Sequence, residues 1–345
     1  MNERLLEGAI WLLTPTCPLR CKHCYTTIYL YERELGLEEK LRLAKEVGEL
    51  GAVWVNISGG EPLLHKHFWP VVEVLKDYGV HVSVNTSGLG VNEETARKLS
   101  KHEITVYLSI DGGKREHELL RGIDTYDYAT RALELLSREG VEFGTVMTVA
   151  RSSSSGVEAY LETAAKYGVE YPAIIPSMMQ GRAIWSREWV DSKTYVEVVK
   201  RASFLAKELG LEGVWLWCTP FNGILGLQNT FSSPCRTRRL VDITPSGYIV
   251  LCDVTGIRIS NVAGKGLAKA LEEYRQHPLL KLVEDPPELP QPCKNCPIRQ
   301  VCKGGCFARA LLEYGNLNGG DPLCPRVYAW RSRGLGSRQG KTSRV

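Results

Sequence analysis

Residues 9–209 alternate between short, β-branched apolar runs and helix-patterned segments, and this rhythm restricts the fold more than any other feature of the chain. The runs are AIWLLT (9–14), VWVNIS (53–58), VHVSVN (80–85), ITVYLSI (104–110), VEFGTVMTV (141–149) and YPAIIPS (171–177). Between them, segments 38–50, 67–78, 93–101, 127–139, 157–168 and 193–209 carry apolar residues at helical spacing; in 127–139, Ala132, Leu135 and Leu136 share one face. Strands alternating with helices predict a parallel sheet with right-handed crossovers and helices on its outside. Six such units fall short of a closed eight-stranded barrel, so a doubly wound sheet and a partial, open barrel both fit. In either, chemistry belongs at the carboxyl ends of the strands.

The cysteines divide the chain differently. Of eleven, three lie at 17–24, none at 25–217 and eight at 218–324. A chain of 345 residues with 43% hydrophobic and 24% charged content is an ordinary globular composition, suited to two domains or one large α/β domain with an extension. The net charge of +4 does not point to nucleic acid as the main partner. No apolar run is long enough to span a bilayer, and MNERLLEGAIWLL lacks the layout of a signal peptide. The expected compartment is therefore the cytoplasm, where clustered cysteines serve as metal ligands or catalytic groups rather than disulfides.

The first cluster, TPTCPLRCKHCY, spaces Cys17, Cys21 and Cys24 as C-x3-C-x2-C just after the first strand. Three thiolates suit either zinc completed by a fourth ligand such as His23, or a 4Fe–4S cluster with one iron left open. One unit later, GGEP follows the second strand. Gly59 and Gly60 allow close approach to the backbone, and Glu61 with neighbouring carbonyls can accept hydrogen bonds from an ammonium group. Next to the cysteine loop, GGEP reads as a clamp for an amino acid bound to the open iron.

C-x3-C-x2-C followed by an aromatic (Tyr25), with GGEP after the second strand, resembles the radical S-adenosylmethionine (radical SAM) superfamily over about residues 9–190. The resemblance implies an α/β fold, a partial (β/α)6 radical SAM barrel. It also implies a 4Fe–4S cluster on Cys17, Cys21 and Cys24, with S-adenosyl-L-methionine held by Gly59, Gly60 and Glu61. Ser109, in YLSIDGG, corresponds to a polar residue near the ribose or methionyl part of SAM, and Arg121 to an arginine that pairs with the SAM carboxylate. Asp111 and Arg182 are weaker candidates.

The second cysteine field has Cys235, then Gly247-x4-Cys252, then Cys293-x2-Cys296-x5-Cys302-x3-Cys306 and finally Cys324. This resembles the SPASM extension, a small, loop-rich, cysteine-dense domain with two auxiliary 4Fe–4S clusters. On its own, C-x2-C also suits a zinc ribbon. The resemblance implies one cluster on Cys293, Cys296, Cys302 and Cys324, and another on Cys235, Cys252 and Cys306. Cys218 either closes that second cluster or is a buried thiol. Asp253, directly after Cys252, corresponds to an aspartate that removes a substrate proton in one related group. His65 and His67 read as exposed residues at a helix start, and no histidines form a metal-spaced pair.

These readings imply an anaerobic enzyme with three 4Fe–4S clusters, supplied with electrons by a low-potential donor of flavodoxin or ferredoxin type. SAM is cleaved to a 5′-deoxyadenosyl radical, and a peptide or protein substrate is oxidatively modified. A small cofactor precursor, as in tetrapyrrole decarboxylation or quinone or pterin-type maturation, is the alternative; a non-catalytic iron–sulfur or zinc scaffold is the reading from another class. With sixteen residues ahead of Cys17, no fused leader-binding domain is expected; a separate partner could supply it, or the substrate could be small. The expected domains are 1–210 (barrel) and 211–332 (auxiliary-cluster domain), with a basic, disordered tail at 333–345. LVDIT and YIVLCDV around Pro245-Ser246-Gly247 predict a hairpin.

Overall fold

A computed structural model describes residues 5–169, 171–233 and 239–334. The expected tail thus lies almost wholly outside the described residues, as does Cys235. Strands β1 (Gly8–Thr14), β2 (Trp54–Gly59), β3 (His81–Thr86), β4 (Thr105–Ser109), β5 (Phe143–Val149) and β6 (Ala173–Pro176) answer to the six apolar runs. They pair in parallel in chain order. A doubly wound sheet would reverse its strand order partway; this one does not, so its helices gather on one face and the sheet curls.

The curl is visible across the open face. In a flat sheet, strands three places apart stand about 14 Å from one another. Yet Tyr107 of β4 and Trp217, just past β7 (Val214–Leu216), meet edge to face at 5.3 Å between centroids. The structure is a partial barrel.

Helices α1 (Leu37–Glu49), α2 (Phe68–Asp77), α3 (Glu93–Lys101), α4 (Lys114–Arg121), α5 (Thr125–Arg138), α6 (Val157–Lys166), α7 (Arg182–Ser186) and α8 (Ser192–Glu208) follow the strands. The core forms where their apolar stripes cover alternate strand residues: Val55, Ile57, Val82, Val84, Val106 and Leu108 are fully buried. Ala132, Leu135 and Leu136 of α5 join that core as their spacing predicts. The opposite strand face is polar, with Asn56, Ser58, Asn85, Tyr107 and Ser109 half-buried. There Asn56 donates to Ser83 at 2.9 Å, and Asn85 donates to Asn56 at 3.0 Å.

The sheet runs on past residue 210. Short strands β7 and β8 (Thr230–Phe231) extend it in parallel beyond β6. At the other edge β9 (Leu240–Ile243) pairs in parallel with β1, followed by antiparallel β10 (Tyr248–Val250) and β11 (Arg258–Asn261). The predicted hairpin is present, with Gly247 in the left-handed region (φ 79°) closing the turn on Thr244. The cysteine-rich region then folds as short helices: α9 (Gly266–Gln276), α10 (Pro278–Glu284), α11 (Arg299–Cys302), α12 (Phe307–Tyr314) and α13 (Pro325–Ser332). Among the described residues no helix is long and apolar enough to cross a membrane.

Candidate functional site

The loop of Cys17, Cys21 and Cys24 leaves the carboxyl end of β1 and is fastened from two sides. On one side, Gly60 N–H donates to Thr14 O at 2.7 Å and Glu61 N–H to Thr16 O at 3.0 Å. A Cβ on Gly60 would lie 2.0 Å from Thr16 O, and one on Gly59 (φ +125°) 2.3 Å from Thr14 O. The glycine pair is thus required first for this backbone-to-backbone approach, before any ligand is considered. On the other side Arg182 N–H reaches Cys24 O at 3.0 Å, and its guanidinium reaches Cys21 O at 2.9 Å.

Glu61 is 2% exposed and its carboxylate is already occupied. It accepts from Thr86 Oγ1 at 2.7 Å, Ser87 N–H at 2.9 Å and Ser87 Oγ at 2.5 Å. The glutamate of GGEP therefore ties the end of β2 to the end of β3.

Arg121 is also engaged. Its Nε donates to Asp111 Oδ2, and both residues are largely or fully buried. Asp111 Oδ1 accepts Thr148 N–H at 2.7 Å, and Asp111 N–H donates to His117 Nδ1 at 3.1 Å. Burial alone would raise the Asp111 carboxyl; Arg121, with His23 and His117 behind it, holds it below its ordinary value. Arg121 lies within the field of Cys21 and Cys24. Ser109 ends β4 on the polar face of the sheet, half-buried.

Cys17 and Cys21 are held protonated when alone. Burial first, then Glu61 and the neighbouring thiols, push Cys17 up to about 11, and burial raises Cys21. Cys21 and Cys24 are among the groups that raise Cys17, so the three thiols share one neighbourhood. Burial first, then the Arg121 charge, lowers His23 to about 3, so its imidazole is neutral.

In the second field, Cys293, Cys296, Cys302 and Cys324 line one small cavity with Phe221, Ile224, Ile298 and Val327. Burial and the nearby thiols raise Cys293 and Cys302 to about 12 and Cys324 to about 11. Four cysteines on one small cavity, whose lining also takes in Arg299 and Arg326, fit a four-thiolate centre. Cys252 and Cys306 are buried, and Cys218 is half-buried at a left-handed φ of 54°. Arg309 Nη2 donates to Cys218 O at 2.5 Å and to Asp321 Oδ2 at 2.7 Å, and the same Asp321 oxygen accepts Cys306 N–H at 2.9 Å, so the Arg309–Asp321 pair links the Cys218 and Cys306 backbones.

Asp253 joins the two fields. Its Oδ2 accepts the Tyr25 hydroxyl at 2.5 Å, its carbonyl accepts Tyr29 at 2.5 Å, and its N–H donates to Asp242 Oδ2 at 2.8 Å. Sequence reasoning picked out Tyr25 only as an aromatic beside Cys24 and missed this bond; nothing local could have signalled it.

His65 and His67 are half-buried rather than exposed. With Glu34 they bring ligand atoms within 4.8 Å of one another, a grouping their sequence spacing did not suggest. It is an ion-pair network: Glu34 Oε1 takes both Lys40 Nζ at 2.5 Å and His65 Nε2 at 2.9 Å, and Oε2 takes Thr14 Oγ1 at 2.6 Å.

Comparison with known proteins agrees with this geometry. Residues 11–164 match the model of the radical SAM superfamily. The chain is 27% identical to the mycofactocin maturase MftC of Mycolicibacterium smegmatis, covering 96% of this chain and 86% of that one. It is 25% identical to the PqqA peptide cyclase of Granulibacter bethesdensis, covering 92% and 86%. Its fold is similar to that of native anSMEcpe with bound AdoMet, with a TM-score of 0.75 at 20% identity over 96% of this chain and 98% of that one. The three-cysteine loop and GGEP, joined at the carboxyl ends of adjacent parallel strands, both lie in the segment that matches this model, so residues 11–164 form a radical SAM domain.

Proposed function

We propose that this enzyme is a maturase that cleaves SAM reductively at the Cys17–Cys21–Cys24 centre and oxidatively modifies a peptide or protein substrate. The observation that carries the reading is the Tyr25–Asp253 bond, which makes the cysteine loop of the barrel and the cysteine-rich region two walls of one site. The named activities of the two relatives, maturase and peptide cyclase, support a peptide substrate.

When bound, SAM and a reduced 4Fe–4S cluster supply a 5′-deoxyadenosyl radical able to take a hydrogen atom from the substrate. The chain's own residues hold and shape that site. Cys17, Cys21 and Cys24 hold three irons. Gly59, Gly60 and Glu61 offer SAM their backbone, since the Glu61 carboxylate is spent on Thr86 and Ser87. Arg121 gives Nε–H to Asp111, and the further donors of its guanidinium face the task of holding the SAM carboxylate. Ser109 lies on the same polar strand face. Asp253 is the candidate base, its carboxylate oriented by Tyr25.

Cys293, Cys296, Cys302 and Cys324 hold one auxiliary 4Fe–4S cluster; Cys252, Cys306, Cys235 and, in closure, Cys218 hold the other. A low-potential donor of flavodoxin or ferredoxin type, a separate leader-binding partner and a cytoplasmic, anaerobic setting complete the reading.

The test is anaerobic reconstitution followed by incubation with SAM, dithionite and candidate precursor peptides encoded near the gene. The reading expects about twelve irons, four per cluster, and a SAM-dependent mass change in a peptide. Cys302→Ala should retain SAM cleavage and lose the peptide product; full product formation by that variant would refute a required auxiliary cluster.

A further inference from the structure

The loop of Cys17, Cys21 and Cys24 leaves β1 but is tied to helices that follow β4 and β6. Lys22 N–H donates to Leu120 O of α4 at 2.9 Å. Ser186 Oγ, at the end of α7, donates to Lys22 O at 2.6 Å, and the Arg182 guanidinium reaches Cys21 O at 2.9 Å. The loop therefore crosses the mouth of the barrel from its first strand to the far side. Cys21 is buried and Lys22 is exposed, so here the first cysteine site lies one residue from solvent.

The surface flanking Lys22 is apolar. Trp185 of α7 is 87% exposed, and Ile123, just past α4, is 84% exposed; Ile184 and Leu119 are exposed beside them. Exposed apolar groups gathered within a charged rim mark an interaction site. On the α7 side that rim is basic. Lys22 and Arg187 are exposed and have no ion-pair partner among the described residues. Arg151 Nη2 donates to Ser186 O at 3.1 Å, which sets this exposed arginine over the same helix end. The acid nearest to Arg151, Glu188, is buried and turned to the amide and hydroxyl of Ser152. On the α4 side Lys114 is matched by Glu118 and Asp127, and Asp124 adjoins Ile123. Unmatched positive charge is thus concentrated over the cysteine loop and α7.

A centre that cleaves SAM reductively takes up one electron for each cleavage, and electron transfer falls off steeply with distance. A carrier protein has to approach the cysteine loop from its solvent side. Weak electron-transfer encounters use small interfaces, below about 1,200 Å², and are steered by complementary charge. A small apolar centre with a basic rim suits an acidic carrier whose redox group presents an apolar edge.

We propose that Trp185, Lys22, Arg151 and Arg187 form the docking surface for an acidic flavodoxin, with the apolar edge of its flavin against Trp185 beside the cysteine loop. The inference rests on the reading above that Cys17, Cys21 and Cys24 hold a 4Fe–4S cluster. At each encounter the reduced flavin is oxidised by one electron and the cluster is reduced by one; no atom changes hands.

The test compares two reductants on the reconstituted full-length enzyme given SAM. Dithionite is small and needs no docking surface, whereas a reduced acidic flavodoxin does. Lys22→Glu combined with Arg187→Glu, and Trp185→Ser alone, should leave dithionite-driven 5′-deoxyadenosine formation at the parent rate. At limiting flavodoxin and low salt, the charge-reversed variant should lower the flavodoxin-driven rate about tenfold. Added sodium chloride should slow the parent but not that variant. Calorimetric titration of oxidised flavodoxin into the same enzymes should show affinity weakened in parallel, independently of turnover. Lys207→Glu combined with Lys281→Glu, the same charge change at exposed positions on α8 and α10, should match the parent throughout. Equal flavodoxin-driven rates in the parent and the patch variants would overturn the proposal, as would a parent that accepts electrons from a ferredoxin and not from flavodoxin. Loss of the dithionite-driven rate would make the patch a brace for the loop, and loss of peptide product with SAM cleavage intact would make it a peptide surface; either overturns it. A parent that forms no 5′-deoxyadenosine even with dithionite would instead sink the reading of the first cluster.

Discussion

Tyr25 donates its hydroxyl to Asp253 Oδ2 at 2.5 Å across 228 positions of sequence, and each residue directly follows a cysteine, Cys24 and Cys252. Burial first, and then the Asp253 charge, raise the Tyr25 hydroxyl well above its ordinary value, so it stays a donor at any working pH. A hydrogen bond to a charged group is worth about 1.5–3 kcal/mol. Tyr25→Phe and Asp253→Ala, combined in a double-mutant cycle on the apoprotein in urea, should show a coupling energy in that range. Coupling below about 0.5 kcal/mol would mean that the two loops are not joined through this bond.

Glu61 offers a second check. Glu61→Ala strands the Thr86 hydroxyl and the Ser87 N–H, at a cost of about 1–3 kcal/mol for each buried group left without a partner. Apoprotein stability should fall accordingly even with no SAM present. An effect seen only as weaker SAM binding would contradict the bracing role.

His117 predicts part of the acid sensitivity. Burial, opposed by Asp111, lowers it to about 4, below the ordinary 6.5. The unfolded chain therefore binds a proton there at higher pH than the folded chain does. Its contribution is fully present above 6.5 and is lost as pH falls from 6.5 toward 4. His117→Asn should flatten the urea-midpoint profile across that window. Asp111, held below 3.8, loses its contribution only at lower pH, so the two effects separate. An unchanged slope in the variant would rule His117 out as the source.

The thiols give a pH prediction of opposite use. With Cys293 and Cys302 raised to about 12 and Cys324 to about 11, metal loading must displace protons. Zinc, used as a probe of the apoprotein, should bind more tightly at about pH 9 than at about pH 7 and release protons on binding. A pH-independent affinity would contradict protonated resting thiols.

The six barrel strands were legible because each rests on a local apolar period, whereas the grouping of Cys293, Cys296 and Cys302 with Cys324 rather than the nearer Cys306, which line one cavity here, was implied by resemblance and not by spacing. Helix α4, KREHELLR, was not legible, since it buries only His117 and Leu120 and so carries almost no apolar stripe. Strands β7 and β8, three and two residues long, are too short to show a period. The return of β9 to the edge of β1 is a pairing between distant segments, and composition does not encode it. The same limit hid the Tyr25–Asp253 and Arg309–Asp321 pairs. GGEP showed where the glutamate lies but not that its carboxylate is turned inward to Thr86 and Ser87.

The central claim is that Cys17, Cys21 and Cys24 form a centre that cleaves SAM. The most direct measurement is 5′-deoxyadenosine formed by anaerobically reconstituted enzyme given SAM and dithionite, beside Cys24→Ala. The account predicts SAM-dependent 5′-deoxyadenosine from the parent and none above background from the variant. Bound zinc in place of iron with no cleavage by the parent, or equal cleavage by parent and variant, would contradict it.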